Sequence, residues 1–161
     1  MHTLEGGSKA AGMRFAVVVS RYNDFVTRPL LASALATLGE ADVAEHDVTV
    51  VYVPGAFELP VAAQRLAETG RFAAVVCLGC LIRGATPHFE YISSAVAHAL
   101  ATASTTTGVP ISFGVLTTNA AEEALERAGP GQSNKGREAA LAAIEMATLL
   151  RALETAVERL P

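Results

Sequence analysis

Residues 75–91 decide the fold of this chain, and they read Val75-Val76-Cys77-Leu78-Gly79-Cys80-Leu81-Ile82-Arg83-Gly84-Ala85-Thr86-Pro87-His88-Phe89-Glu90-Tyr91. The apolar run that opens the stretch is typical of a strand buried on both faces. The run then breaks at glycines, and Thr86 followed by Pro87 predicts a helix with Thr86 as its N-cap. Open α/β sheets bind ligands where strand ends face helix starts, and helix N-termini favour anions. The stretch therefore predicts a ligand site.

Strand and helix patterns alternate along the rest of the chain. The predicted elements are a strand at 13–20, a helix at 27–38 capped by Thr27, a strand at 47–53, a helix at 58–69, the strand quoted above, a helix at 87–107, a strand at 110–116, a short helix capped by Asn119 that reaches residue 127, and a helix at 134–157. This order implies parallel strands joined by right-handed crossovers. We expect one three-layer, flavodoxin-like α/β domain over 1–161, with a four-stranded parallel sheet between helices. Residues 1–12 are expected to form an arm ordered by a neighbouring chain.

Composition narrows the class of protein. The chain has 161 residues, 51% of them hydrophobic and 17% charged, with a net charge of -4. The low charge fits either an alanine-rich domain or surface buried against other copies of the chain, and we favour the second. The absence of a basic run argues against nucleic acid and anionic membranes as partners. The first eight residues lack the order of a signal peptide, so we expect a cytoplasmic protein.

The two cysteines form a C-x-x-C pair, Cys77 and Cys80. Such a pair can be a redox motif at a helix N-terminus or half of a zinc site. Cys77 lies inside an apolar run and no second cysteine pair exists, so we interpret both as buried, small apolar side chains. We expect no metal and no cofactor.

Several candidate site residues follow the predicted strands. Tyr22 and Phe57 could stack on a planar ligand ring or cover the core. Main-chain groups of residues 56–58 could pair with a heterocycle. Residues 84–86 are either a capped turn or a phosphate cradle, and no motif for a nucleoside triphosphate or dinucleotide is present.

Charged and aromatic residues elsewhere leave alternatives open. His88 could be a solvated side chain or a proton carrier. Arg127 either complements the C-terminus of its helix or grips a phosphate. Lys135 is mildly unfavourable at a helix start, which weakly suggests function. Phe113 could face the core or a neighbouring chain. Arg83 directly precedes residues 84–86 in the sequence, which makes it the natural ligand for a phosphate bound there.

The sequence resembles the 6,7-dimethyl-8-ribityllumazine synthases over nearly its whole length. The stretches that carry the resemblance are Arg21-Tyr22-Asn23-Asp24-Phe25, Val53-Pro54-Gly55-Ala56-Phe57-Glu58-Leu59-Pro60, Ile82-Arg83-Gly84-Ala85-Thr86-Pro87-His88-Phe89-Glu90-Tyr91, Gly108-Val109-Pro110, Phe113-Gly114-Val115-Leu116-Thr117-Thr118, Glu126-Arg127-Ala128-Gly129 and Asn134-Lys135-Gly136. The family's reaction joins 5-amino-6-(D-ribitylamino)uracil to 3,4-dihydroxy-2-butanone 4-phosphate, the penultimate step of riboflavin biosynthesis. A non-catalytic lumazine- or flavin-binding protein and a compartment-forming protein are the alternatives.

The resemblance implies a role for each site residue. The residues implied to bind the ribitylaminouracil are Tyr22, Asn23, Ala56, Phe57, Glu58, Cys80, Leu81, Ile82, Phe113 and Lys135. Ala85, Thr86 and Arg127 would hold the phosphate, and His88 would shuttle protons. Phe113, Arg127 and Lys135 would come from a neighbouring subunit. The resemblance also implies a homopentamer. The segment 127–135 lacks an insertion, which favours a 60-subunit icosahedral cage that could associate with riboflavin synthase.

Overall fold

The computed structural model describes residues 1–158, and these form alternating strands and helices in the predicted order. The elements are β1 (Phe15–Ser20), α1 (Asp24–Glu40), β2 (Val48–Val53), α2 (Leu59–Glu68), β3 (Ala74–Ile82), α3 (His88–Thr107), β4 (Ile111–Thr118), α4 (Ala121–Arg127) and α5 (Lys135–Val157), with single 3₁₀ turns at Glu45–Asp47 and Ala56–Glu58. The predicted domain extends to residue 161, so its last three residues lie outside the described part.

The four strands form one parallel sheet in the order β2-β1-β3-β4. Alternate residues of β1 point into two separate cores, as the pleat requires. Phe15, Val17 and Val19 pack with α1 and α5, whereas Ala16 and Val18 pack with α2 and α3. The prediction of a three-layer α/β domain is thus confirmed.

The starts of three helices differ from the predictions. Helix α1 begins at Asp24 with Asn23 as N-cap, and Thr27 instead donates its hydroxyl to the carbonyl oxygen of Ser20. Helix α3 has Pro87 rather than Thr86 at its N-cap position. Helix α4 has Ala120 as its N-cap rather than Asn119. In each case a Thr or Asn with capping potential lies within three residues of the observed start, so the capping signal located the helix end only approximately.

Strand β3 also differs, because it continues through Gly79 to Ile82 instead of breaking at the glycine. A Cβ atom at position 79 would lie 3.1 Å from a Leu59 methyl carbon and 3.2 Å from Ser20 Oγ. The glycine therefore allows close packing against α2 and β1 within an unbroken strand.

The arm at residues 1–12 has neither helix nor strand, but it contacts α5 of its own chain. The Gly7 N–H donates to Thr148 Oγ1 at 2.7 Å, and the fully buried Ala10 donates its N–H to the Ala41 carbonyl oxygen at 2.8 Å. Within residues 1–158, no helix is long and apolar enough to cross a membrane.

Candidate active site

The turns that follow β1 and β2 are joined at the carboxyl edge of the sheet. The Arg21 and Tyr22 N–H groups donate to the carbonyl oxygens of Val53 (2.8 Å) and Pro54 (2.9 Å). The Tyr22 ring lies over Gly55, where a Cβ atom would come within 2.6 Å of a ring carbon. Because Tyr22 is 70% exposed, it is not a core side chain, and its ring is open to a planar ligand.

The short turn at Ala56–Glu58 presents a carboxylate beside this ring. Glu58 Oε2 accepts a hydrogen bond of 2.9 Å from the Gly55 N–H, which fixes the carboxylate against its own turn. Ala56 is buried, whereas Phe57 is 62% exposed. Phe57 is therefore also not a core residue, and the turn offers an acceptor, main-chain groups and an apolar surface.

Asn23 connects the end of β1 to the end of β3. Its backbone is left-handed (φ 61°), a conformation that asparagine tolerates better than most residues. Its Nδ2–H donates to the Cys80 carbonyl oxygen at 2.9 Å. The Asn23 side-chain amide thus fixes the main chain of Cys80 at the predicted site.

The C-x-x-C pair consists of two buried thiols that are not joined to each other. Burial raises the pKa of Cys80 to about 11 and raises the pKa of Cys77 further. Since a redox or metal-binding cysteine needs its thiolate, these neutral thiols agree with the interpretation as small apolar side chains. Cys80 packs in the core with α1 and α5, and it offers the edge of the sheet only main chain. Within residues 1–158, no cluster of three or more His, Cys, Asp or Glu side chains could hold a metal ion.

The segment from Gly84 to His88 forms an exposed loop between β3 and α3, beyond the half-buried Leu81 and Ile82. A Cβ atom at Gly84 would have no neighbour within 4 Å. Ala85, Thr86 and His88 are all exposed, and His88 is the first residue of the 20-residue helix α3. The N-terminus of a long helix favours an anion near this loop.

The remaining predicted site residues form a second group on β4, α4 and α5. Phe113, Arg127 and Lys135 line a cavity of about 550 Å³, and none of the other predicted site residues lines it. Phe113 pairs with Cys77 across the sheet, while Ile82 pairs with Thr118 at the carboxyl edge. At roughly 3.3 Å per residue, that register separates Phe113 from the carboxyl edge by about 16 Å. Within one chain the predicted site residues therefore form two separate groups, which we call the first half-site (at the carboxyl edge of the sheet) and the second half-site (on β4, α4 and α5).

The second half-site carries two cationic side chains, and each is held by hydrogen bonds. The Lys135 Nζ donates to both carboxylate oxygens of Glu138, at 2.9 and 2.8 Å. The Arg127 guanidinium donates to the Glu123 carbonyl oxygen at 3.1 Å, and its side chain is exposed. Glu138 is not among the predicted site residues, although its i,i+3 spacing from Lys135 is a signal that predicts such a pair.

Comparisons with known proteins show the family of this chain. The family model described as 6,7-dimethyl-8-ribityllumazine synthase matches residues 12–151. A protein of Syntrophus aciditrophicus (strain SB) named 6,7-dimethyl-8-ribityllumazine synthase is 55% identical over 147 residues, which cover 91% of this chain and 96% of that protein. The match includes both half-sites and every strand. This chain therefore belongs to the 6,7-dimethyl-8-ribityllumazine synthase family.

Proposed function

We propose that this chain is a cytoplasmic enzyme that condenses 5-amino-6-(D-ribitylamino)uracil with 3,4-dihydroxy-2-butanone 4-phosphate. The products are 6,7-dimethyl-8-ribityllumazine, inorganic phosphate and water. The observation that carries the proposal is the family match over residues 12–151, which spans both half-sites. The exposed Tyr22 ring, the Glu58 carboxylate and the anion-favouring start of α3 are what two such substrates need.

The ribitylaminouracil would occupy the first half-site. Its pyrimidinedione would stack on Tyr22, whose side chain is open to solvent. Main-chain groups of residues 56–58 and 80–82 would pair with the ring's alternating donors and acceptors. The Glu58 carboxylate would accept hydrogen bonds from the ribityl hydroxyls, and Asn23 and Phe57 would complete the wall of the pocket.

The phosphate of the second substrate would bind at Ala85 and Thr86, where the unpaired N–H groups of the first turn of α3 favour an anion. Arg127 of a neighbouring subunit would approach the same phosphate and could grip it with two parallel N–H donors. Phe113 and Lys135 of that neighbour would close the uracil pocket. Phe113 lies about 16 Å from the carboxyl edge of the sheet, at roughly 3.3 Å per residue, and this distance supports the shared arrangement.

The chemistry requires two substrates held together and a proton carrier. The amine attacks the ketone, and loss of water gives an imine. Elimination of phosphate follows, and ring closure releases water. His88 is exposed beside the proposed phosphate site and would carry the protons that these steps move.

A shared pocket requires an oligomer, and we propose a pentamer that assembles into a 60-subunit cage. Large apolar side chains on the surface support burial between copies, among them Phe57 at 62%, Val61 at 64% and Tyr91 at 74% exposure. Sedimentation that finds only free pentamers would contradict the cage. Association with riboflavin synthase is part of the same proposal, and copurification of the two proteins tests it.

The enzymatic proposal is tested by mixing the protein with both substrates and following the fluorescence of the lumazine. We expect acceleration over the uncatalysed condensation. Binding of lumazine without acceleration would instead support a non-catalytic binding protein. Arg127→Ser is expected to raise the KM of the phosphate substrate chiefly, because the uracil half-site is left intact.

Mixed oligomers test whether the pocket is shared. Thr86→Glu places a carboxylate in the phosphate site, and Arg127→Ser removes the cation from the other half-site. If neighbours share each pocket, co-assembly of the two variants in equal amounts gives about a quarter of the pockets an unaltered phosphate site, which shows as activity at low concentrations of the phosphate substrate. If each pocket lies within one chain, co-assembly restores none.

A further inference from the structure

Arg83 lies at the end of β3 and is the most extensively bonded side chain near the exposed loop. Its own N–H donates to the Thr118 carbonyl oxygen at 2.8 Å, and its Nε donates to Asn119 Oδ1 at 2.8 Å. One terminal nitrogen of the guanidinium donates to Glu90 Oε1. The guanidinium carbon also lies 4.6 Å from the centre of the Phe89 ring.

These partners belong to two separate elements. Thr118 and Asn119 end β4 and begin the connection to α4, whereas Phe89 and Glu90 follow His88 directly in the first turn of α3. Arg83 therefore connects the turn that carries His88 to the neighbouring edge strand of the sheet. The ring contact and the charged pair both act on the same helical turn.

The first turn of α3 has little else to hold it. In the part of the chain that the structure describes, no side chain caps α3, whose N-cap is Pro87. Residues 84–88 are exposed, and Gly84 has open space on its Cβ side. A helix start without a cap frays readily, so an anchor from outside the helix has a large effect on its geometry.

We propose that Arg83 is a positioning residue, which holds the first turn of α3 so that Thr86 and His88 meet the phosphate-bearing substrate in one fixed geometry. The role rests on the proposed function of that loop. Arg83 is not itself the phosphate ligand in this assignment, because the Glu90 carboxylate compensates its charge and Asn119 occupies its Nε donor.

The test compares Arg83→Met, which keeps an unbranched side chain but removes the guanidinium, with Arg65→Met as the matched control. Arg65 is an exposed arginine on α2 that pairs with Glu68, away from both half-sites. Two quantities are measured: the KM of each substrate, and the amide hydrogen exchange of peptides covering residues 84–91. We expect Arg83→Met to raise the KM of the phosphate substrate about 5-fold and leave that of the ribitylaminouracil unchanged. Exchange in residues 84–91 should accelerate, while exchange in α5 should not.

Glu90→Gln separates positioning from direct binding. If Arg83 acts through the helical turn, Glu90→Gln also raises the KM of the phosphate substrate, and combining it with Arg83→Met adds little. If Arg83 binds the phosphate directly, Glu90→Gln frees its charge and lowers that KM, which overturns the proposal. Unchanged exchange in residues 84–91 also overturns it. Absence of lumazine formation by the unaltered protein would refute the proposed function alone, since the exchange measurement still tests the anchor.

Discussion

Gly55 is the position where the smallest substitution should most disturb the proposed uracil site. An alanine Cβ there would lie 2.6 Å from a Tyr22 ring carbon and 3.2 Å from Glu58 Oε2. Ordinary contacts begin at 3.4 Å, so the ring must retreat by about 0.8 Å. The backbone of Gly55 is extended, with φ -138° and ψ 179°, and accepts alanine without strain. Gly55→Ala therefore moves two site side chains while leaving the main chain in place.

We expect Gly55→Ala to weaken substrate binding and to leave the free energy of unfolding almost unchanged. Tyr22 is 70% exposed and can move into solvent, so the free energy of unfolding should change by less than about 1 kcal/mol. A well-placed aromatic contact contributes roughly 0.5–1.5 kcal/mol beyond its buried area. Losing it corresponds to a rise of about 2- to 13-fold in the KM of the ribitylaminouracil. The KM of the phosphate substrate should not change, because the atoms nearest to the added Cβ belong to Tyr22 and Glu58 and not to the loop at 84–88.

Steady-state kinetics with each substrate varied in turn, together with a melting temperature, measure both effects. Gly39→Ala is the matched control, since Gly39 lies at the far end of α1 and its added Cβ would meet nothing within 4 Å. Gly39→Ala should leave both KM values unchanged and stabilise the protein by about 0.5 kcal/mol. A Gly55→Ala variant that folds normally but leaves the KM of the ribitylaminouracil unchanged would contradict the proposed role of Tyr22. An equal rise in both KM values would also contradict it.

Two further predictions concern stability. Gly136→Ala should lower the free energy of unfolding by about 2 kcal/mol, because the methyl group would overlap the main-chain carbonyl of Leu30 and this cost exceeds the gain in helix propensity. Denaturant titration at fixed subunit concentration checks it, and a stabilised variant would contradict it. Cys80→Ala should reduce the loss of stability that accompanies a rise to alkaline pH. Burial raises the pKa of Cys80 from 9.0 to about 11, so the unfolded chain releases this proton first and stability falls from about pH 9 upwards. Melting temperatures between pH 8 and 11 measure the difference, and identical slopes in both proteins would refute it.

Much of the fold could be predicted from local patterns in the sequence. The apolar runs and helical spacings correctly indicated four strands and five helices among residues 1–158. Gly108 ends α3 in the left-handed conformation (φ 71°), and the Asn134 side chain caps α5 by accepting from the N–H groups of Gly136 and Arg137. These features depend on hydrogen bonds and side-chain periodicity within a few residues, so the sequence alone determines them.

Contacts between residues that are far apart in the sequence were determined only by the tertiary structure. Arg83 and Asn119 lie 36 residues apart, and no local pattern pairs them. The parallel register of β3 and β4 places Phe113 opposite Cys77, away from the carboxyl edge, and thereby separates the two half-sites. The N-cap of α3 is Pro87 instead of the predicted Thr86, although Thr86 has the better capping side chain. Strand register and packing sum many weak contacts across the whole domain, whereas a cap or a helical stripe is a local property, and only the local part can be read along the chain.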